Sequence, residues 1–370
     1  MEHMSEVYFA NLRAQGVKDN VINKIARLYK KAGLDQTFSK GDLVAVKTHF
    51  GEEGNTTYLR PQFVAKMVDM VAESGGKPFV TDSNTLYTGM RANAVDHTYI
   101  AAKHGFCYPV INAPVIIADG LKGLDQVDIP VNLKRCKSVK VGSAAVQADS
   151  IMVMSHFKGH MVTGFGGALK NLGMGFGSRA GKLEMHHEVH PEVNQEKCIG
   201  CGICAKNCPQ HAIELTKKKA SIDKKKCIGC GECYIVCKSG AVNPGEWTDP
   251  TAIQEKIVEY CCGLMKGKAN RIGYMTFVMD FTPLCDCAGW SDSPIVPDIG
   301  VVASRDIVAI DQACADLVNG ETSLANTMIK KTMGPGTDKI RAMHDFDWTV
   351  QLEYAEKLGL GSREYKLIKV

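Results

Sequence analysis

Long apolar runs are missing from this sequence. None of its 370 residues belongs to a stretch approaching the ~18 consecutive apolar side chains of a membrane span, and no basic segment followed by an apolar one opens it. Neither a membrane crossing nor a secretory signal is therefore expected. Charge of one sign is scarce as well: 44 Lys and Arg stand against 40 Asp and Glu, a net of +4. That balance suits neither a disordered tail nor a chain built to coat nucleic acid. Nucleotide loops are also absent. Gly173-x-Gly175-x-Gly177 lacks the dinucleotide spacing, Gly175 to Gly181-Lys182 is one residue too long for a phosphate loop, and Leu183 stands where that loop needs a hydroxyl. What remains, at 45% apolar and 23% charged residues, is a globular chain too long for one hydrophobic core.

Cysteine is abundant, with 15 in the chain and 8 of them between Cys198 and Cys237. Without an export signal, thiols point to a reducing, cytoplasmic compartment and to metals or catalysis rather than disulfides. The segment Lys197-Cys198-Ile199-Gly200-Cys201-Gly202-Ile203-Cys204 recurs 29 positions later as Lys226-Cys227-Ile228-Gly229-Cys230-Gly231-Glu232-Cys233. Cys208 and Cys237 complete the copies. This C-x2-C-x2-C-x3-C run is the bacterial ferredoxin pattern, in which three thiolates hold one cube and the fourth reaches the other. It assigns Cys198, Cys201, Cys204 and Cys237 to one 4Fe-4S cluster and Cys227, Cys230, Cys233 and Cys208 to a second. Pro209 follows the first copy as the pattern prescribes, whereas Lys238 replaces the second proline. Zinc would need pairs of C-x2-C rather than triplets.

Residues 194–245 hold nine lysines against four acids, a net of +5 that leaves the rest of the chain at −1. Two readings are open for this basic insert. Its lysine clusters are solvated turns, or they form a landing face for an acidic electron carrier of ferredoxin or flavodoxin type. No interleaved aromatics or reading motif supports nucleic acid.

Outside the insert, β-branched runs alternate with helical periods. Strands are expected at 43–47, 79–81, 115–118, 151–154, 271–277 and 301–303, and helices at 61–74, 93–103, 252–266 and 307–318. The expected architecture is α/β, with mostly parallel sheets covered by helices and interrupted by a small α+β ferredoxin-like insert. The α/β part occupies residues 1–193 and 246–370, and the insert 194–245.

Ligands in such folds bind beyond the carboxyl ends of the strands. Those ends carry Lys47 and His49, Asp82 and Asn84, and His156-x-Lys158-x-His160, whose side chains would share one side of an extended loop. Gly166 and Gly167 precede a short helix bearing Lys170 and Asn171, leaving amide hydrogens free for a carboxylate or phosphate. Together these residues suggest binding and proton transfer at a small anionic substrate. His156, Lys158, His160 and Lys170 are the catalytic candidates; Lys47, His49, Asp82, Asn84 and Asn171 are the substrate-binding ones. Cys285-x-Cys287 is open between a soft-metal or redox-active pair and two partly buried small hydrophobes. Cys261-Cys262 is expected in a helix core, and His186, His187 and His190 in a solvated linker.

Taken together, Lys47-Thr48-His49-Phe50-Gly51-Glu52, Thr81-Asp82-Ser83-Asn84-Thr85-Leu86-Tyr87, His156-Phe157-Lys158-Gly159-His160, the run Gly166 to Gly175, the paired cysteine runs, Cys285-Asp286-Cys287-Ala288, Pro297-Asp298-Ile299-Gly300 and Asp306 to Ala313 resemble the domain of unknown function 362 family, in its form with an inserted two-cluster ferredoxin module. The resemblance implies two cubane clusters, life in anaerobes and a second site built from these loops, with room for a third metal or redox cofactor. At fold level it extends to the nickel-dependent lactate racemase superfamily, and fold analogy does not transfer chemistry. The expected function is an iron-sulfur oxidoreductase relaying electrons from a soluble carrier to that second site. A non-catalytic electron-transfer or cluster-delivery protein, and a metal-assisted non-redox enzyme of racemase type, are the alternatives.

Overall fold

The computed structural model describes residues 4–87, 89–186, 191–208, 210–227, 232–243 and 248–370. The chain begins with β1 (Ser5–Asn11), α1 (Val21–Lys31), β2 (Leu43–Lys47), α2 (Pro61–Glu73), β3 (Lys77–Asp82), α3 (Ala94–Lys103) and β4 (Val115–Ile117). A hairpin of β5 (Gln126–Pro130) and β6 (Ser138–Gly142) and the short α4 (Ser143–Gln147) lead into β7 (Ser150–His156). A small hairpin follows, β8 (Lys158–His160) with β9 (Gly164–Gly166), and then α5 (Ala168–Phe176) and α6 (Arg179–His186). The insert contributes β10 (Glu192–Val193), α7 (Ile203–Asn207), β11 (Ile213–Thr216), β12 (Lys219–Ile222), α8 (Glu232–Ile235) and β13 (Val242–Asn243). The chain returns through α9 (Pro250–Met265), β14 (Ile272–Val278), β15 (Gly300–Ser304), α10 (Ile307–Gly320), α11 (Lys339–Met343), α12 (Val350–Lys357) and β16 (Tyr365–Lys369).

Eight strands form one sheet in the order β16-β1-β15-β14-β7-β2-β3-β4. Neighbours from β14 to β4 are all parallel, and β15 alone runs against both its partners. The expected α/β architecture is thus present. Alternation along the strands explains why it is covered on both faces. Ile151 and Val153 of β7 pack into one buried cluster with α5, α9 and α10, while Met152 and Met154 enter the other with α1 and α2. The period of α2 does the same work, burying Phe63, Val64, Met67, Val68 and Val71 behind a proline at its first turn. Among the described residues no helix is long and apolar enough to cross a membrane.

All ten expected strands and helices recur within a few residues. The strand β1, the edge strand β16, the hairpins and the helix α1 are among the additions. His186 ends α6, with its Nδ1 2.8 Å from the Lys182 carbonyl, rather than lying in a linker, and His187 and His190 fall outside the described residues.

Two strand pairs organise the insert. β10 pairs with β13 across its neck, and β11 pairs with β12. Among the described residues its buried cluster is small: Cys198, Cys204, Ile213, Ala220, Cys233, Ala241 and Val242, three of the seven being thiols. So little apolar surface cannot offset the ordering entropy of ~50 residues, and a module of this size ordinarily needs a metal or a cross-link.

Candidate functional site

The parallel register aligns the carboxyl ends of β2, β3 and β7, with Lys47 opposite Thr81 on one side and Val153 on the other. Beyond those ends lies a cavity of about 150 Å³. Lys47, Arg91, Lys158, Lys170 and Lys182 line it, and among the described residues Asp82 is the one carboxylate that does so. Five cations against one acid make the cavity electropositive. Low-dielectric walls sharpen that field.

Each cation is held differently. Lys47 Nζ lies 2.9 Å from Asp82 Oδ1 and donates to Asn171 Oδ1 at 2.8 Å. Asn171 is fixed in turn by donating to the Met154 carbonyl at 3.0 Å. Burial pulls the Lys47 ammonium below its ordinary value, opposed by Asp82. Burial also works against the Asp82 charge, yet Lys47, His97, Arg91 and Lys182 together hold its carboxyl below the usual range. Lys158 Nζ sits 3.2 Å from Asp286 Oδ2; burial opposes its charge, and Asp286 and Cys285 more than restore it. Lys182 donates to Ser83 Oγ at 2.7 Å and to the Gly177 carbonyl at 2.6 Å, and burial lowers its pKa to about 8.

Two histidines complete the wall. His49 Nδ1 accepts the Gly51 amide at 3.0 Å, and His160 Nδ1 accepts those of Val162 and Thr163, both at 3.2 Å. Burial, reinforced by neighbouring cations, drives both rings well below the usual histidine range. They are neutral, and with Nδ1 accepting, the proton sits on Nε2. Each therefore offers the cavity a hydrogen-bond donor, not a metal-ligating lone pair.

His156 and Asn84 stand one layer behind. The His156 ring bridges Asp286, at 2.8 Å from Nδ1, and the Met279 carbonyl, at 2.9 Å from Nε2. Asn84 donates to Asp119 Oδ1 at 2.9 Å. They position the wall rather than face the cavity. The chain turns at Phe157, so His156 parts from Lys158 and His160, which stay on one side of β8 as an i, i+2 pair.

The expectation of free amides at the start of α5 is overturned. Asp311, from α10, accepts the Ala168 and Leu169 amides at 2.7 and 2.9 Å. A carboxylate of the chain itself already fills that anion position. Gly167 is needed for this approach, because a Cβ there would lie 2.3 Å from Asp311 Oδ1.

Cys287 lines the cavity beside β8, and Cys285 joins it in lining a neighbouring one. Lys170 Nζ donates to Cys285 Sγ at 3.3 Å. A hydrogen bond from Cys287, then the Lys170 and Lys158 charges, hold the Cys285 thiol well below its ordinary value despite burial; Cys287, the donor, is pushed well above. Cys287 also lines a second, more open cavity of about 700 Å³ with Tyr87, His160, Met161 and Trp290. Cys261, by contrast, is a core thiol of α9 donating to the Leu169 carbonyl at 3.3 Å.

In the insert, Cys198, Cys201, Cys204 and Cys237 line one small cavity, the four that the repeat assigns together. The Ala220 and Ala241 amides donate to Cys198 and Cys237 Sγ at 3.4 and 3.2 Å, and the Ala212 amide to Cys208 Sγ at 3.3 Å. Amides aimed at sulfur suit thiolates shared with iron. Among the described residues no three His, Cys, Asp or Glu side chains close on one point as a single ion requires. The thiolates of a four-iron cube each bind a different iron and stand further apart. Cys230 lies outside the described residues, and of the second set Cys208, Cys227 and Cys233 are described.

Residues 44–316 match the domain of unknown function DUF362. The chain belongs to the DUF362 family. No curated protein sequence matches it. Among solved structures, the lactate racemase apoprotein from Thermoanaerobacterium thermosaccharolyticum is 13% identical with a TM-score of 0.36, over 74% of this chain and 51% of that one. A structural-genomics protein from Thermotoga maritima is 12% identical with a TM-score of 0.37, over 72% and 52%. The chain spans about half the length of each.

Sequence reasoning missed Arg91, Lys182, Asp286 and Tyr234. Asp286, set between two cysteines, was the most legible of these. Lys182 carried no motif, and its role comes from α6 packing against the Ser83 loop. Tyr234 belongs to α8 of the insert, yet it lines the cationic cavity of this DUF362 chain.

Proposed function

We propose that this protein is an iron-sulfur oxidoreductase acting on a small anionic substrate in the cationic cavity. Two 4Fe-4S clusters, held by Cys198, Cys201, Cys204 and Cys237 and by Cys227, Cys230, Cys233 and Cys208, would supply single electrons when bound. The observation that carries this reading is Tyr234. It directly follows Cys233 and lines the same cavity as Lys47, Lys158, Lys170 and Lys182. Neither a separate carrier nor a purely structural ornament would require that placement.

Lys170 and Lys182 bind and orient the anion, and the Nε2 protons of His49 and His160 direct its oxygens. Lys47 is committed to Asp82 and Asn171 and sets the field from behind. In the insert Cys201 is exposed and Ile199 is 71% exposed, and lysines 197, 206, 217 and 218 are exposed as well. An exposed apolar side chain in a segment rich in exposed lysines suits an acidic soluble carrier. Lys219 and Lys224 are tied instead to the Cys198 carbonyl at 2.6 Å and to Glu192 at 2.5 Å.

Anaerobic iron and sulfide analysis tests the reading. About eight irons per chain are expected, with loss of roughly half in Cys201→Ser. Zinc, or no metal after anaerobic expression, would overturn it.

A further inference from the structure

Cys285 is unlike the other buried thiols of this chain. Burial drives Cys261 and Cys314 well above the ordinary value for a thiol, whereas Cys285, 4% exposed, lies well below it. The difference is geometric. The loop carrying Cys285-Asp286-Cys287 is pinned at three points. The Asp286 carboxylate is held by His156 at 2.8 Å and Lys158 at 3.2 Å, its carbonyl accepts the Glu52 amide at 2.9 Å, and the Cys285 carbonyl accepts the Ala288 amide at 2.9 Å. Gly159 permits the closeness, since a Cβ there would stand 2.3 Å from the Pro283 carbonyl. The pinned loop sets both cysteines in the wall of one cavity, with the Lys170 ammonium 3.3 Å from the first sulfur and open cavities on either side of the second. A core pair would have neither the cation nor the two openings.

We infer that Cys285 and Cys287 are a dithiol-disulfide couple in the cavity wall, storing two electrons between single-electron transfers. In the oxidising direction the Cys285 thiolate and the Cys287 thiol join sulfur to sulfur. The Cys287 proton passes to water through the cavity, and two electrons leave to one-electron iron-sulfur acceptors. Reduction reverses each step: two electrons and one proton restore a thiolate on Lys170 and a thiol beside it. The inference rests on the proposed function only for where the electrons go. It deepens that reading, because a couple of this kind matches one-electron donors to a substrate that changes by two.

The test uses the whole protein, purified anaerobically and equilibrated with graded mixtures of reduced and oxidised dithiothreitol. Free thiols are trapped with iodoacetamide, and the peptide holding both cysteines is weighed by mass spectrometry. It should pass between doubly alkylated and unalkylated forms in one two-electron step. Persistence of the doubly alkylated form across the series, or dominance of singly alkylated forms, would overturn the inference. Lys170→Met should slow alkylation of the reduced protein at Cys285 by about tenfold at neutral pH, through loss of the cation that favours the thiolate; an unchanged rate would contradict the geometry. Cluster absorbance in the same samples separates the two claims. Intact clusters beside an unresponsive pair sink the couple alone, and a responsive pair in iron-free protein sinks the electron route alone.

Discussion

Lys47 and Lys182 show how one cavity uses two lysines for different ends. Lys47 is locked between Asp82 and Asn171, so its removal leaves Asp82 buried with weaker compensation. Lys47→Met should therefore cost about 3–5 kcal/mol in denaturant unfolding, as for other broken buried pairs. Lys182 is held by neutral oxygens and titrates at about 8. Its ammonium is present below that pH and lost above it, so binding of an anion such as oxalate should weaken as pH rises through about 8. Calorimetry should find a roughly ten- to hundredfold loss in Lys182→Met below that pH, the worth of one charge-assisted hydrogen bond, with a flatter pH profile. An undiminished pH dependence in the variant would assign the titration elsewhere. His49 and His160 make a separate prediction. Their rings should keep an unprotonated Nδ1 in nitrogen-15 spectra from about pH 7 down to 5, whereas a free histidine protonates in that window.

At the level of elements, α5 depends on a carboxylate from α10. Asp311 is raised to about 7 because burial outweighs the two amides that favour its charge. A carboxyl raised above its unfolded value stabilises the fold most below the unfolded value, and that contribution is lost as pH rises through about 7. Asp311→Asn should flatten the pH dependence of unfolding between about 4 and 7. This cap was illegible in the sequence, since Asp311 lies 143 residues from the amide it meets. The glycines of the turn invited an external anion instead. Strands and helices were legible where pattern is local: the β-branched core of β7 and the 3.6-residue period of α2 need no distant partner. The strand β1 and the edge strand β16 have partly exposed, mixed faces and find their order only by pairing, β16 with β1 and β1 with β15. The insert was legible as a repeat, and its thiol-rich core adds a further expectation. Iron removal should abolish amide protection in residues 194–243 while leaving β2, β7 and β14 protected in hydrogen exchange.

At the scale of the whole molecule, the juxtaposition of insert and cavity carries the account. The eight cysteines of the repeat and the cationic strand ends are each readable as short motifs, but their adjacency through Tyr234 is not, because it is set by where α8 lies relative to the cavity. The most direct test is the relaxation of a nitroxide-labelled carboxylate bound in the cavity, measured in anaerobic protein before and after dithionite. Oxidised 4Fe-4S clusters are diamagnetic and reduced ones paramagnetic, so reduction should sharply accelerate the nitroxide's relaxation, and excess oxalate should abolish the effect by displacing the probe. Relaxation unchanged on reduction, with the probe still bound, would place the electrons away from the cavity and contradict the proposed function.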